Sequence, residues 1–241
     1  MPLPGGLESG GRVVRVGGTV RKPVLGDGGV VVPLLQHLER VCFGHVPRHL
    51  GSDEQGRWVL TWHPGEVDLH WRDHVRGARS LRRAGELLRA FHDATATSDL
   101  RGDQEVVCHG DYGPWNVVQL HGELTTVIDL DGAAPGPRVH DLSYALWCWG
   151  ALGAVGRPVE VQADQAAAVL AGYLGAGTGW VPPAASALVD EVELRQLDVA
   201  ARHRAAGREQ RAAACEADRA WVTAHRAALE ARWSGARGSS A

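Results

Sequence analysis

The stretch from Val107 to Gly132, VCHGDYGPWNVVQLHGELTTVIDLDG, constrains the fold more than any other part of the chain. Short apolar runs alternate with Gly, Pro, Asn and Asp, the pattern of brief strands joined by tight loops. Asp111 follows the first run, Asn116 lies five residues on, and Asp129 lies thirteen beyond that at the end of LTTVI. A carboxylate after one strand or turn, an amide in the loop and a carboxylate at a second strand end can converge on one point. Hard oxygen donors of this kind suit Mg²⁺, which takes one or two protein carboxylates together with phosphate oxygens. A further carboxylate, Asp111, can then orient a hydroxyl and accept its proton. Asp and Asn are also ordinary turn residues, and for each residue alone that plainer reading wins; the three together at this spacing favour chemistry.

The rest of the chain sets the frame. Its 241 residues suit one large domain or two small lobes. A formal charge of -3 provides no basic field for nucleic acid. Cys42, Cys108, Cys148 and Cys215 are far apart and form no CxxC or Cys/His cluster, so a reducing, cytoplasmic setting is expected. The start, MPLPGGLESGG, has neither a basic region nor an apolar core of the secretory kind. No apolar run approaches the roughly 20 residues that span a membrane.

Residues 12–16 and 19–22 are β-rich and split by Gly17-Gly18, which reads as a hairpin. Apolar positions 31, 34, 35, 38 and 41 have helical spacing, with Pro33 in the tolerated first turn. RWVLTW (57–62) reads as a strand, and HPGE breaks the chain after it. Residues 79–94 form an amphipathic pattern, 141–151 and 161–174 read as helices, and 189–233 reads as helix with a break near Gly207. The expected order is a small β-rich lobe at 1–63 and a mainly helical lobe at 64–241 with an inserted β-loop. The tail SGARGSSA is expected to fray.

HGDYGPWN (109–116), VIDLD (127–131) and HDLSYAL (140–146) resemble the aminoglycoside phosphotransferase/choline kinase-like family. The resemblance implies an α+β, protein-kinase-like fold of two lobes and an ATP- and Mg²⁺-dependent small-molecule kinase. It makes Asp111 the catalytic base or acceptor-orienting residue and His109 the residue that shapes the catalytic turn. It assigns Mg²⁺ to Asn116 and Asp129, and places Asp131 and Asp141 behind them, Asp141 as a brace for the turn. At the nucleotide end it aligns the Gly-rich start, with Gly5 and Gly6, over the phosphates. It aligns Arg21 with the family's usual lysine and leaves Lys22, its neighbour, as the alternative, since only one of two successive strand residues can face the cleft. Backbone groups of Thr61 and His63 are expected at the adenine edge. The next helix has no acid before Glu39, so the usual Lys–Glu pair is expected to be missing or replaced.

The acceptor is expected to be a hydroxyl of a small molecule, with aminoglycosides and other antibiotics as candidates. From Asp190 onward eight acids face nine arginines, a balance that does not speak for a polycation. No membrane or nucleic-acid partner is expected. The alternatives are a non-catalytic nucleotide-binding protein of the same fold and a metal-dependent phosphohydrolase, which would need ligands for a second metal.

Overall fold

The computed structural model describes residues 1, 3, 13–25, 29–177 and 179–238. They divide into two compact units, one of residues 1–69 and 91–136, the other of residues 70–90 and 137–241.

The first unit carries three small antiparallel sheets. β1 (Val14–Val16) and β2 (Thr19–Lys22) form the hairpin, closing at Val16 opposite Thr19. β2 pairs with β4 (Trp58–Thr61), and β3 (His49–Ser52) covers the other side of β4, giving the order β1-β2-β4-β3. β3 was not expected from sequence: HLGS lacks β-branched residues, and its pairing with β4 is irregular between His49 and Gly51. Met1 and Leu3 pair with β1 from the far side, Arg15 N donating to Met1 O at 2.8 Å and Leu3 N to Val13 O at 3.0 Å. Gly5 and Gly6 lie outside the described residues.

α1 (Val31–Arg40) buries Val31, Leu34, Leu35 and Leu38 of the expected apolar stripe and ends before its last position, Val41, which is exposed. The loop after it is clamped to the inserted β-loop: Val127 N donates to His45 O at 2.7 Å, and the His45 ring meets Thr125 O at 2.8 Å. That β-loop comprises β5 (Val106–Cys108) paired with β8 (Ala134–Gly136), and β6 (Val117–Leu120) paired with β7 (Glu123–Val127).

The second unit is helical. α3 (Arg138–Gly150), α4 (Val159–Gly175), α5 (Ala185–Ala205), α6 (Glu209–Ala224) and α7 (Arg226–Gly238) belong to it, with the first part of α2 (Ala78–Thr95). The expected break near Gly207 is present, and a second falls at His225. α2 and α4 approach so closely that only glycine fits: a Cβ on Gly85 would lie 2.0 Å from Val169 O, and one on Gly172 would lie 2.0 Å from Arg82 O. None of the described helices is long and apolar enough to cross a membrane.

A buried polar knot ties α6 to α3. Asp218 accepts from Trp147 Nε1 at 2.9 Å and from Arg72, whose Nη1 lies 3.1 Å from Oδ1. Burial pushes the Asp218 carboxyl up, against the pull of Arg72 and Trp147. Asp218→Ala leaves the buried indole N–H without its acceptor and is expected to cost about 2–4 kcal/mol, read by urea unfolding. A loss under about 0.5 kcal/mol would show that the knot is not structural.

The same region protects Cys215, whose thiol burial pushes up to about 11. Cys108 and Cys148 are also buried and Cys42 is exposed. One thiol is therefore expected to react rapidly with Ellman's reagent at pH 8 in the native protein, the others only after denaturation. Fast modification of a second thiol would contradict this packing.

Candidate active site

The site is built within the first unit, where β5 leads into the turn His109-Gly110-Asp111. His109 is fully buried and uses both ring nitrogens on backbone. Its Nε2 donates to Ile128 O at 2.9 Å, and its Nδ1 accepts from Asp111 N at 3.2 Å. These bonds select the Nε2–H tautomer and tie the turn to the end of β7. His109 is thus placed to hold the turn in shape. Gly110 has φ +81°, and a Cβ there would lie 2.1 Å from Gly132 O. Only glycine allows this close seating of the turn on the segment after Asp129.

Asp111 is oriented by its own loop. Its Oδ2 accepts from Asn116 Nδ2 at 2.8 Å and from Trp115 Nε1 at 3.1 Å. Asn116 Nδ2 also donates to Asp111 O at 2.9 Å, and Ile128 N donates to Asn116 O at 2.9 Å. The five-residue spacing thus closes on itself across the short 3-10 turn Pro114–Asn116. With Nδ2 committed to Asp111, Asn116 has its amide oxygen left for a cation.

Asp129 follows β7 in a left-handed conformation, φ 65° and ψ 62°, which Asp tolerates better than most residues with a Cβ. Its side chain is 38% exposed. Lys22, the chain's single lysine, reaches it across from β2. Lys22 Nζ lies 2.5 Å from Asp129 Oδ1 and 2.7 Å from Asp131 Oδ1. Burial and the neighbouring Asp129 push the Asp131 carboxyl up, while Lys22 pulls it down. Lys22 is therefore the cation at this point. Arg21 points elsewhere, its Nη1 2.6 Å from Thr19 Oγ1 and its Nε 3.6 Å from Asp53. The donors fit Mg²⁺ by chemistry: Asp129 offers a partly exposed carboxylate and Asn116 an amide oxygen, both hard.

The other sequence candidates are more peripheral. Thr61 N donates to Arg48 O at 3.0 Å and Trp62 N to Gly18 O at 3.0 Å, so both amides serve the sheet. The Trp62 ring lies under the Arg15 guanidinium, 4.6 Å from its centroid. The His63 ring bridges Thr61 Oγ1 at 3.2 Å and Thr126 Oγ1 at 3.0 Å, and burial holds its pKa below the usual histidine range. Asp141 belongs to the second unit, fully buried in the first turn of α3. The acids Asp190, Glu193 and Asp198 are ion-paired with arginines of their own unit, Arg226 for the first two and Arg195 and Arg202 for the third.

Comparison with known proteins bears on the fold and the family. The phosphotransferase enzyme family (APH) model matches residues 96–188. A trifolitoxin immunity protein of Rhizobium leguminosarum bv. trifolii is 34% identical over 164 residues, 59% of this chain and 60% of that protein's length. Among solved structures, the apoenzyme of a macrolide 2'-phosphotransferase from Brachybacterium faecium superposes with TM-score 0.55 and 18% identity, covering 82% of this chain and 83% of that one. A choline/ethanolamine kinase family protein from Mesorhizobium loti gives TM-score 0.55 and 16% identity, covering 87% and 88%. The chain has the fold of these kinase-like phosphotransferases, and the family that its HGDYGPWN and VIDLD segments resemble is the one whose model matches its central part.

Proposed function

We propose that this protein is an ATP- and Mg²⁺-dependent O-phosphotransferase that moves the γ-phosphoryl group to a hydroxyl of a small molecule. Residues 1–63 act as its nucleotide-binding lobe and 64–241 as its catalytic and acceptor-binding lobe. The observation that carries this reading is two side-chain pairs, Asp111–Asn116 and Lys22–Asp129, held side by side by the backbone bond from Ile128 N to Asn116 O. Those residue types are the ones phosphoryl transfer needs: a base, two hard oxygen ligands and a phosphate-facing cation.

In this reading Asp111, held by Asn116 and Trp115, orients the acceptor hydroxyl and accepts its proton as the oxygen attacks. Mg²⁺, held by Asn116 and Asp129, supplies charge neutralisation at the phosphate oxygens. Lys22 adds positive charge at the same point. His109 keeps the turn and the Asp129 segment in register. With the Thr61 and Trp62 amides spent on the sheet, contact with the adenine edge falls to the His63 backbone.

The acceptor is a hydroxylated small molecule of the antibiotic or natural-product kind. Pairing of Asp190, Glu193 and Asp198 with arginines weighs against a polycation such as an aminoglycoside. The name of one relative, an immunity protein, supports a protective role against a toxic compound. It also motivates a second reading, a nucleotide-binding protein without turnover that protects by binding.

The deciding experiment is Mg²⁺-dependent ADP release with ATP across macrolides, aminoglycosides, choline, sugars and hydroxylated peptide antibiotics. Stimulation by one class that disappears in Asp111→Asn supports the kinase. Binding of a compound with nucleotide but without ADP release supports the second reading.

A further inference from the structure

Protein kinases position their phosphate-binding lysine by an ion pair with a glutamate of the following helix. Here α1 has a single acid, Glu39, in its last turn, and that carboxylate lies 2.5 Å from Arg48. Lys22 has instead two carboxylates from the segment after β7. They are not equivalent. Asp129 is the more exposed, 38% against 21% for Asp131, and has left-handed backbone. Asp131 is the middle residue of the 3-10 turn Leu130–Gly132, whose Gly132 carbonyl packs against Gly110.

A divalent cation and an ammonium compete for the Asp129 carboxylate. Once Asp129 is engaged by the cation, the contact that remains to Lys22 is Asp131 at 2.7 Å. The Lys22 side chain is only 10% exposed, so an ammonium there needs a permanent counter-ion. The formal charges are consistent. One ammonium between two carboxylates leaves the pocket net negative, and a divalent cation makes it net positive, the sign that attracts a polyphosphate.

Resting on the function proposed above, we infer that Asp131 is the positioning residue for Lys22. It replaces the helix glutamate of protein kinases and releases Asp129 for the metal. The pair points Lys22 at the phosphates of a nucleoside triphosphate and makes no contact with the acceptor.

The test is a double-substitution cycle of Asp131→Asn and Lys22→Met, read by calorimetric binding of ATP in excess Mg²⁺, with thermal unfolding as the folding control. Each single change is expected to weaken ATP binding about 10–100-fold. The double variant is expected to bind no more weakly than the weaker single, because each change removes the same function. Steady-state kinetics are expected to show Asp131→Asn raising KM for ATP while KM for the acceptor stays within twofold. Additive losses, or a fall in Mg²⁺ affinity on Asp131→Asn in the Lys22→Met background, would make Asp131 a metal ligand and overturn the inference. Undiminished ATP binding by Asp131→Asn would do the same. A wild-type protein that binds no ATP with Mg²⁺ overturns the proposed function itself, and with it this inference.

Discussion

Asp111→Asn is expected to lower phosphoryl transfer by about 10²–10⁴-fold while leaving the protein folded and able to bind MgATP. The isosteric amide keeps an oxygen where Trp115 Nε1 and Asn116 Nδ2 now donate, at 3.1 and 2.8 Å. What it loses is the capacity to take a proton and the negative charge that orients a hydroxyl. Asp111→Ala goes further, because both donors lose their acceptor. About 1–2 kcal/mol of stability is expected to go with it, more than for an isolated surface turn residue. Single-turnover transfer to the best acceptor and urea midpoints for both variants separate the two effects. A folded Asp111→Asn protein with wild-type turnover would remove Asp111 from the chemistry.

Gly110→Ala is expected to be the most damaging single methyl in the first unit. At φ +81° the side chain is strained, and its Cβ would meet Gly132 O at 2.1 Å. Neither partner can yield cheaply, since both are backbone and each belongs to a segment carrying a site residue. A loss above about 4 kcal/mol is expected, enough to prevent accumulation of folded protein. Gly18→Ala is the matched control: a Cβ there meets nothing within 4 Å, so its change should stay within about 0.5 kcal/mol. Soluble yield and unfolding midpoints of the two variants decide the matter. Equal stabilities would mean that the turn does not seat on Gly132 as described.

Much of this was legible in the amino-acid sequence, for identifiable reasons. The hairpin and α1 follow from strict periodicities, and the Asp111–Asn116 contact from loop spacing that local geometry enforces. What escaped depends on tertiary partners. β3 is a strand because β4 offers it a free edge, not because HLGS prefers to be extended. β8 contains Pro135 and pairs only because β5 lies beside it. The choice between Arg21 and Lys22 turns on which face of β2 is covered, which two alternating positions cannot reveal. Among the acids at 190–198, Asp198 pairs within α5 with Arg195 and Arg202, but Asp190 and Glu193 meet Arg226 only once α7 is packed against α5.

The Glu39–Arg48 pair bears on control of the enzyme proposed above. In protein kinases, swinging the helix after the lysine strand makes or breaks the lysine's ion pair, and cells use that hinge as an on–off switch. Here the helix acid is spent on Arg48, and the lysine's partners ride on the segment after β7. Displacing α1 would cost Lys22 no counter-ion. In the enzyme proposed above, the pairing that positions Lys22 therefore does not depend on where α1 sits, and a swing of that helix is no on–off switch for it.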